Sequence, residues 1–297
     1  MTISRRIQPY LPTFVLKNFY LRNLFLDEYV SLGFYYYIIT LIYSIIVGPF
    51  DTLNKLLVNV LFLTIICCLP KESKYLIYSF QGGLLGSIQG NAISLLIFRN
   101  ISSMNEKLFL IYLNYLIFFH ISEFIFTGMS NPRSINGSSF LLDHSIAYWC
   151  AILFSWVEFF IEIYYFPYVK IGWISLIGVL FVIFGEIVRK VAIVQAAVNF
   201  THQVASTKLP HHKLVTHGVY SFVRHPAYVG WFFYSIGMQL VLCNPISIIV
   251  YTYVIWNFFA ERIECEERFL IEFFRDQYRQ YQSNVPSGIP FVKGHQC

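Results

Sequence analysis

Runs of about twenty apolar residues recur along this chain, and no other feature constrains its fold as tightly. Inside a bilayer every backbone N–H and C=O must find a partner within the protein, so a spanning segment is either a helix or part of a closed barrel. The runs are continuous rather than alternating, which argues against a barrel. Charge agrees: 12% of the 297 residues are charged, against roughly 25% in a soluble domain. The pattern predicts an all-α, polytopic membrane protein with about eight transmembrane helices.

The expected spans run roughly over 30–48, 52–69, 75–98, 107–128, 144–166, 171–195, 228–243 and 246–260. The third is the weakest, because it holds Gln81 and Gln89. Its Gly82, Gly86 and Gly90 sit four apart and make a flat stripe for a close helix neighbour, more readily inside the protein than in a dimer. The last two spans form a hairpin around Cys243-Asn244-Pro245, and an amphipathic stretch around 14–26 is expected in the interface. Of the 21 Lys and Arg residues, about 17 fall on the side of the termini and about 4 (Lys55, Arg99, Lys107, Lys170) on the other. The positive-inside rule then places both termini and the long loop before the hairpin in the cytosol. Residues 1–195 read as a transmembrane scaffold of about six spans, and 196–297 as a region with a two-span hairpin and a cytosolic loop and tail.

The chemistry concentrates in that loop and after the hairpin. His212 to Trp231 reads HKLVTHGVYSFVRHPAYVGW, and a charged helix with Glu261, Arg262, Glu264, Glu266 and Glu267 follows the hairpin. An isolated His or Arg beside a membrane reads as a basic interfacial loop, but the order here says more. Gly218 ends an element, Tyr220 follows, and Arg224-His225-Pro226 starts a helix with Pro in its first turn, where a missing N–H costs little. Such a helix start offers N–H donors to an anion. Arg262 and Glu266 lie one turn apart on one helix face. On a soluble helix that pair would be a surface salt bridge; at the end of an apolar span it reads as part of the site. Glu264, Glu267 and Arg268 read as solvated. Five of the eight histidines fall between 202 and 225 without an HxxxH or HxxHH box, so no metal is expected. The basic residues are scattered over short loops, which argues against nucleic acid as a partner. The six cysteines suggest neither a disulfide framework nor a metal site.

LVTHGVYSFVRHPAYVGW, the CNP turn, the ERIECEE helix and the closing VPSGIPF together resemble the isoprenylcysteine carboxyl methyltransferase family over about residues 199–294. The G-x-Y-x-x-x-R-H-P-x-Y-x-G core alone is shared with membrane phospholipid N-methyltransferases and sterol reductases. The ER-x-x-x-EE helix and the tail narrow the choice. The resemblance implies a multi-pass enzyme of the endoplasmic-reticulum membrane, with 196–297 as its cytosolic C-terminal catalytic region, that methylates the prenylated C-terminal cysteine of CaaX proteins such as Ras- and Rho-like GTPases and lamins. It implies S-adenosyl-L-methionine as cofactor, held by His212, Lys213, Leu214, Val215, Tyr220, His225, Pro226, Ala227, Tyr228 and Glu266. Arg262 and Arg224 are the expected catalytic residues, and Arg262, Trp231 and Asn257 the expected substrate contacts.

A transporter remains the non-enzyme alternative, because it would place charges in mid-span. The mid-span charges are Glu123, Glu158, Glu162 and Glu186, with His120 near the first. They read either as polar packing between helices or as the lining of a lateral path.

Overall fold

The computed structural model describes residues 27–47, 73–142, 145–210 and 212–295. Within them the helices are α1 (Glu28–Val47), α2 (Ser73–Phe98), α3 (Met104–Ser130), α4 (Ile146–Tyr165), α5 (Gly172–Ala196), α6 (Pro226–Leu242), α7 (Pro245–Phe274) and the short α8 (Asp276–Asn284). By length and hydropathy α1, α3, α4 and α7 are each able to cross a membrane. The span expected over 52–69 and the amphipathic stretch at 14–26 lie outside the described residues. The other expected spans fall on helices to within a few residues, with one difference. The eighth span and the charged helix after it are a single helix of 30 residues. At 1.5 Å per residue it is about 45 Å long, well beyond the roughly 30 Å of hydrocarbon. Its far end therefore carries Arg262 and Glu266 clear of the apolar run.

Close approach of backbones sets two of the helix pairs. The stripe on α2 faces α1: a Cβ on Gly86 would sit 2.2 Å from Tyr37 O, and one on Gly82 would sit 2.2 Å from Gly33 O. The stripe is thus internal packing. On α5 and α6, Gly185 and Gly230 meet in the same way, a Cβ on Gly185 falling 2.5 Å from Gly230 O. Gly230 of the motif therefore lets α5 and α6 touch, and the loop joining them springs from the ends of one tight pair.

Buried charges tie down the other end of that pair. Lys170 Nζ donates to Leu242 O at 2.9 Å, Cys243 O at 3.2 Å and Asn244 Oδ1 at 2.9 Å, and it pairs with Glu162 at 2.5 Å. Cys243 sits at φ +53°, the left-handed conformation that ends a helix. Glu158 on α4 accepts from Ile246 N and Ser247 N, both at 2.7 Å, and so caps the start of α7, where a negative charge is favoured. Glu158 and Glu162 are polar packing at the hairpin turn.

Candidate active site

At the opposite end of α5 and α6, the connecting loop folds over the start of α6 and the last turns of α7. Its turn is dictated locally. Gly218 has φ +63°, and a Cβ there would meet Gln195 Oε1 at 2.3 Å. The same Gln195 Oε1 accepts from Val219 N at 2.8 Å. Tyr220 is thereby turned inward, its hydroxyl 3.3 Å from Ala192 O, and burial pushes its phenol pKa up. Pro226 opens α6 with His225 as the cap residue.

The tail organises this helix start. Arg224 N donates to Pro286 O at 2.8 Å and His225 N to Ser287 O at 3.1 Å. The Arg224 guanidinium donates to Glu267 Oε1 at 2.7 Å, Gln282 O at 3.2 Å and Lys293 O at 2.8 Å, and also to Val285 O. Two expectations are corrected here. The helix start does not offer these N–H groups to an anion: those of Arg224 and His225 are taken by the tail, and those of Tyr228 and Val229 by His225 O. Arg224, expected as catalytic, uses its donors on Glu267 and the tail while still lining the adjacent cavity. Glu267 is likewise not solvated: its side chain is 0% exposed. It accepts from Arg224, from His225 Nε2 at 2.9 Å, Tyr278 Oη at 3.1 Å, Gln282 Nε2 at 2.9 Å and His295 N at 3.0 Å. Glu264 and Arg268 do form an exposed i, i+4 pair.

The loop, the start of α6, the last turns of α5 and α7, and α8 line a cavity of about 360 Å³. His212, Lys213, Leu214, Val215, Tyr220, Arg224, His225, Pro226, Ala227, Tyr228, Trp231, Arg262 and Glu266 all line it. Asn257 is not among its walls; its amide donates to Tyr253 O at 3.0 Å on its own helix. Lys213 and His212 enter through the loop: Lys213 N is fixed to Asn199 Oδ1 at 2.8 Å, and His212 Nδ1 accepts from Leu209 N at 3.4 Å. Leu214 packs on Ile271, Tyr278 and Tyr281.

Arg262 and Glu266 share the cavity without touching as a salt pair. Tyr228 stands between them: Arg262 Nε donates to its hydroxyl at 2.9 Å, and that hydroxyl donates to Glu266. Arg262 Nη2 donates to His202 O, and the guanidinium lies over the Tyr228 ring at 5.5 Å. The Tyr228 ring also stacks on His225, centroids 5.5 Å apart and 8° from parallel, and on Phe259 at 5.0 Å. A cationic group and a carboxylate are thus held by one phenol at the rim of an aromatic, partly apolar chamber.

Several walls were not singled out from the sequence. Arg189, near the end of α5, reaches the cavity over the Trp231 ring at 4.6 Å and donates Nη1 to Ala227 O at 3.0 Å. His202, Phe273 and Tyr278 also line it. A signal for Arg189 was present, since charge at the end of an apolar span marks a functional position. Which side of α5 faced the loop was a matter of tertiary packing.

A family model described as the isoprenylcysteine carboxyl methyltransferase family matches residues 176–272. Protein-S-isoprenylcysteine O-methyltransferase from Xenopus laevis is 48% identical over 216 residues, covering 72% of this chain and 75% of that protein. The enzyme of the same name from Rattus norvegicus is 51% identical over 177 residues, 59% of this chain and 62% of its own length. A solved structure of a eukaryotic intramembrane Ras methyltransferase, an isoprenylcysteine carboxyl methyltransferase, superposes with a TM-score of 0.79 at 35% identity over 95% of this chain and 99% of that chain. With the motif residues gathered in one chamber and a relative matched over most of both lengths, this multi-pass membrane chain is an enzyme of the isoprenylcysteine carboxyl methyltransferase family.

Proposed function

We propose that the chamber esterifies the C-terminal carboxylate of prenylcysteine with a methyl group from S-adenosylmethionine. The observation that carries this reading is the Arg262–Tyr228–Glu266 cluster in a cavity that Arg189 also lines. The chemistry of the walls suits the cofactor. Glu266 is a carboxylate for its ammonium or ribose hydroxyls, Tyr220 and Tyr228 offer rings to the adenine or the cation, and Leu214 and Val215 are apolar cover. When bound, S-adenosylmethionine supplies an electrophilic methyl group on sulfur.

The residues then have a limited task. A C-terminal carboxylate has a pKa of about 3.3–3.7 and is ionised at neutral pH, so no general base is needed. Arg262 holds one carboxylate oxygen, and Arg189 presents a second guanidinium to the same chamber. Water that would blunt the nucleophile is displaced once cofactor and lipid fill the chamber. Orientation of this kind supplies up to roughly 7–11 kcal/mol of the barrier. Arg224 and Glu267 keep loop, helix and tail in register.

The membrane setting follows from the substrate. Each buried CH₂ is worth roughly 0.8 kcal/mol, so drawing a farnesyl chain into water costs on the order of 10 kcal/mol. Lateral entry of the lipid from the bilayer avoids most of that, while the soluble cofactor enters from the cytosol. This reading places the protein in the endoplasmic-reticulum membrane with the chamber facing the cytosol and with processed CaaX proteins as substrates. The test is purified protein with labelled S-adenosylmethionine and a small farnesylated cysteine. Formation of a base-labile methyl ester is the expected result. No transfer to that acceptor, with transfer to phosphatidylethanolamine instead, would overturn it.

A further inference from the structure

Arg189 and Arg262 reach the cavity from different helices, and one residue touches what holds each of them. Glu123 on α3 is 0% exposed and clasps Arg189 with two bonds, Nε to Oε1 at 2.7 Å and Nη2 to Oε2 at 2.6 Å. Lys190 pairs with the same carboxylate and, at 3.4 Å, with Glu186. His202 Nε2 lies 3.1 Å from Glu123 Oε2, and the backbone carbonyl of His202 accepts from Arg262 Nη2. The His202 ring is edge-on to Phe200, with its side chain 15% exposed at the cavity wall.

Folding alone does not ask for this arrangement. Desolvating a carboxylate costs several kcal/mol, and apolar side chains of similar volume often serve stability as well or better. What a two-bond carboxylate–guanidinium clasp adds is direction, since it fixes the plane of the Arg as well as its position. We infer that Glu123 and His202 are positioning residues for the carboxylate substrate. Glu123 sets the plane of Arg189, and His202 ties that carboxylate to the strand of loop that Arg262 grips, so the two guanidiniums are held in mutual register. The inference rests on the prenylcysteine reading above and deepens it.

The experiment compares His202→Ala, His202→Gln and wild type for two ligands that differ only in charge. His202→Ala removes the side-chain tie to Glu123 and leaves the backbone carbonyl that receives Arg262. KM for farnesylated cysteine rises by up to roughly tenfold, the limit reached if the whole of the lost internal tie is expressed in acceptor binding. KM for S-adenosylmethionine and inhibition by the neutral methyl ester stay at wild-type values. His202→Gln keeps a side-chain N–H donor and recovers most of the loss. A collapsed chamber would weaken acid and ester together. Equal loss for both ligands, no loss for either, or His202→Gln no better than His202→Ala overturns the inference in an enzyme that is still active. Wild type that binds neither ligand overturns the functional reading and the inference with it.

Discussion

The Arg224 guanidinium donates its Nε to Glu267 across 2.7 Å, at a carboxylate that solvent does not reach. That pair joins three segments far apart in sequence, because Glu267 also accepts from Gln282 on α8 and from His295 N in the tail. Breaking a buried pair strands the remaining charge at a cost of about 3–5 kcal/mol. Glu267→Ala should therefore lower the thermal midpoint in detergent and open residues 285–295 to protease. Arg268→Ala, one residue on but 64% exposed at its side chain, should leave both unchanged.

Arg262→Ala and Glu266→Ala should each abolish most methyl transfer while the protein still inserts and elutes as a single species. Arg262→Lys should not rescue, because a point charge cannot keep the contacts to both the Tyr228 hydroxyl and His202 O. Tyr228→Phe should weaken both sides of the reaction, raising KM for cofactor and for acceptor, since its hydroxyl is the link between Arg262 and Glu266. Full activity in the two alanine variants would remove the site assignment.

Much of this was legible in the sequence, and the reasons are specific. Apolar runs mark helices because backbone satisfaction leaves the bilayer no other open-chain solution. Gly218 and Pro226 announce the turn and the helix start, since each is needed by backbone geometry at its own position. Glu267 and Glu266 are adjacent in one acidic run, yet Glu267 is buried and Glu266 is 29% exposed at its side chain. Which of the two turns inward depends on where α8 and the tail return, and local pattern does not carry that. Arg189 was hidden for the same reason: its partner Glu123 is 66 positions away.

The glycine stripe on α2 gives a prediction about packing that is independent of the chemistry. A Cβ on Gly86 would press within 2.2 Å of both Thr40 Oγ1 and Tyr37 O on α1, and backbone cannot step aside as a side chain can. Overpacking of this kind costs typically about 1–3 kcal/mol. Gly86→Ala should lower the melting midpoint without changing the oligomeric state measured by light scattering. A stripe that served a dimer contact would instead shift the oligomer and leave the monomer's stability intact.

Tyr281 supplies a dependence on alkaline pH. Its hydroxyl donates to Tyr220 O, and burial pushes the phenol up to about 12, with Arg224 pulling it down and Glu267 raising it. The unfolded phenol titrates near 10. Between those values the folded state keeps a proton that the unfolded state has lost, so stability falls as pH rises. The contribution is complete below about pH 10 and gone above about pH 12. Tyr281→Phe loses the hydrogen bond, worth about 1 kcal/mol, but has nothing to titrate. Wild type should therefore melt above the variant at neutral pH, and the gap should narrow as pH climbs past 10. A gap that stays constant to pH 12 would mean that the phenol is not held protonated by its burial between α8 and the loop.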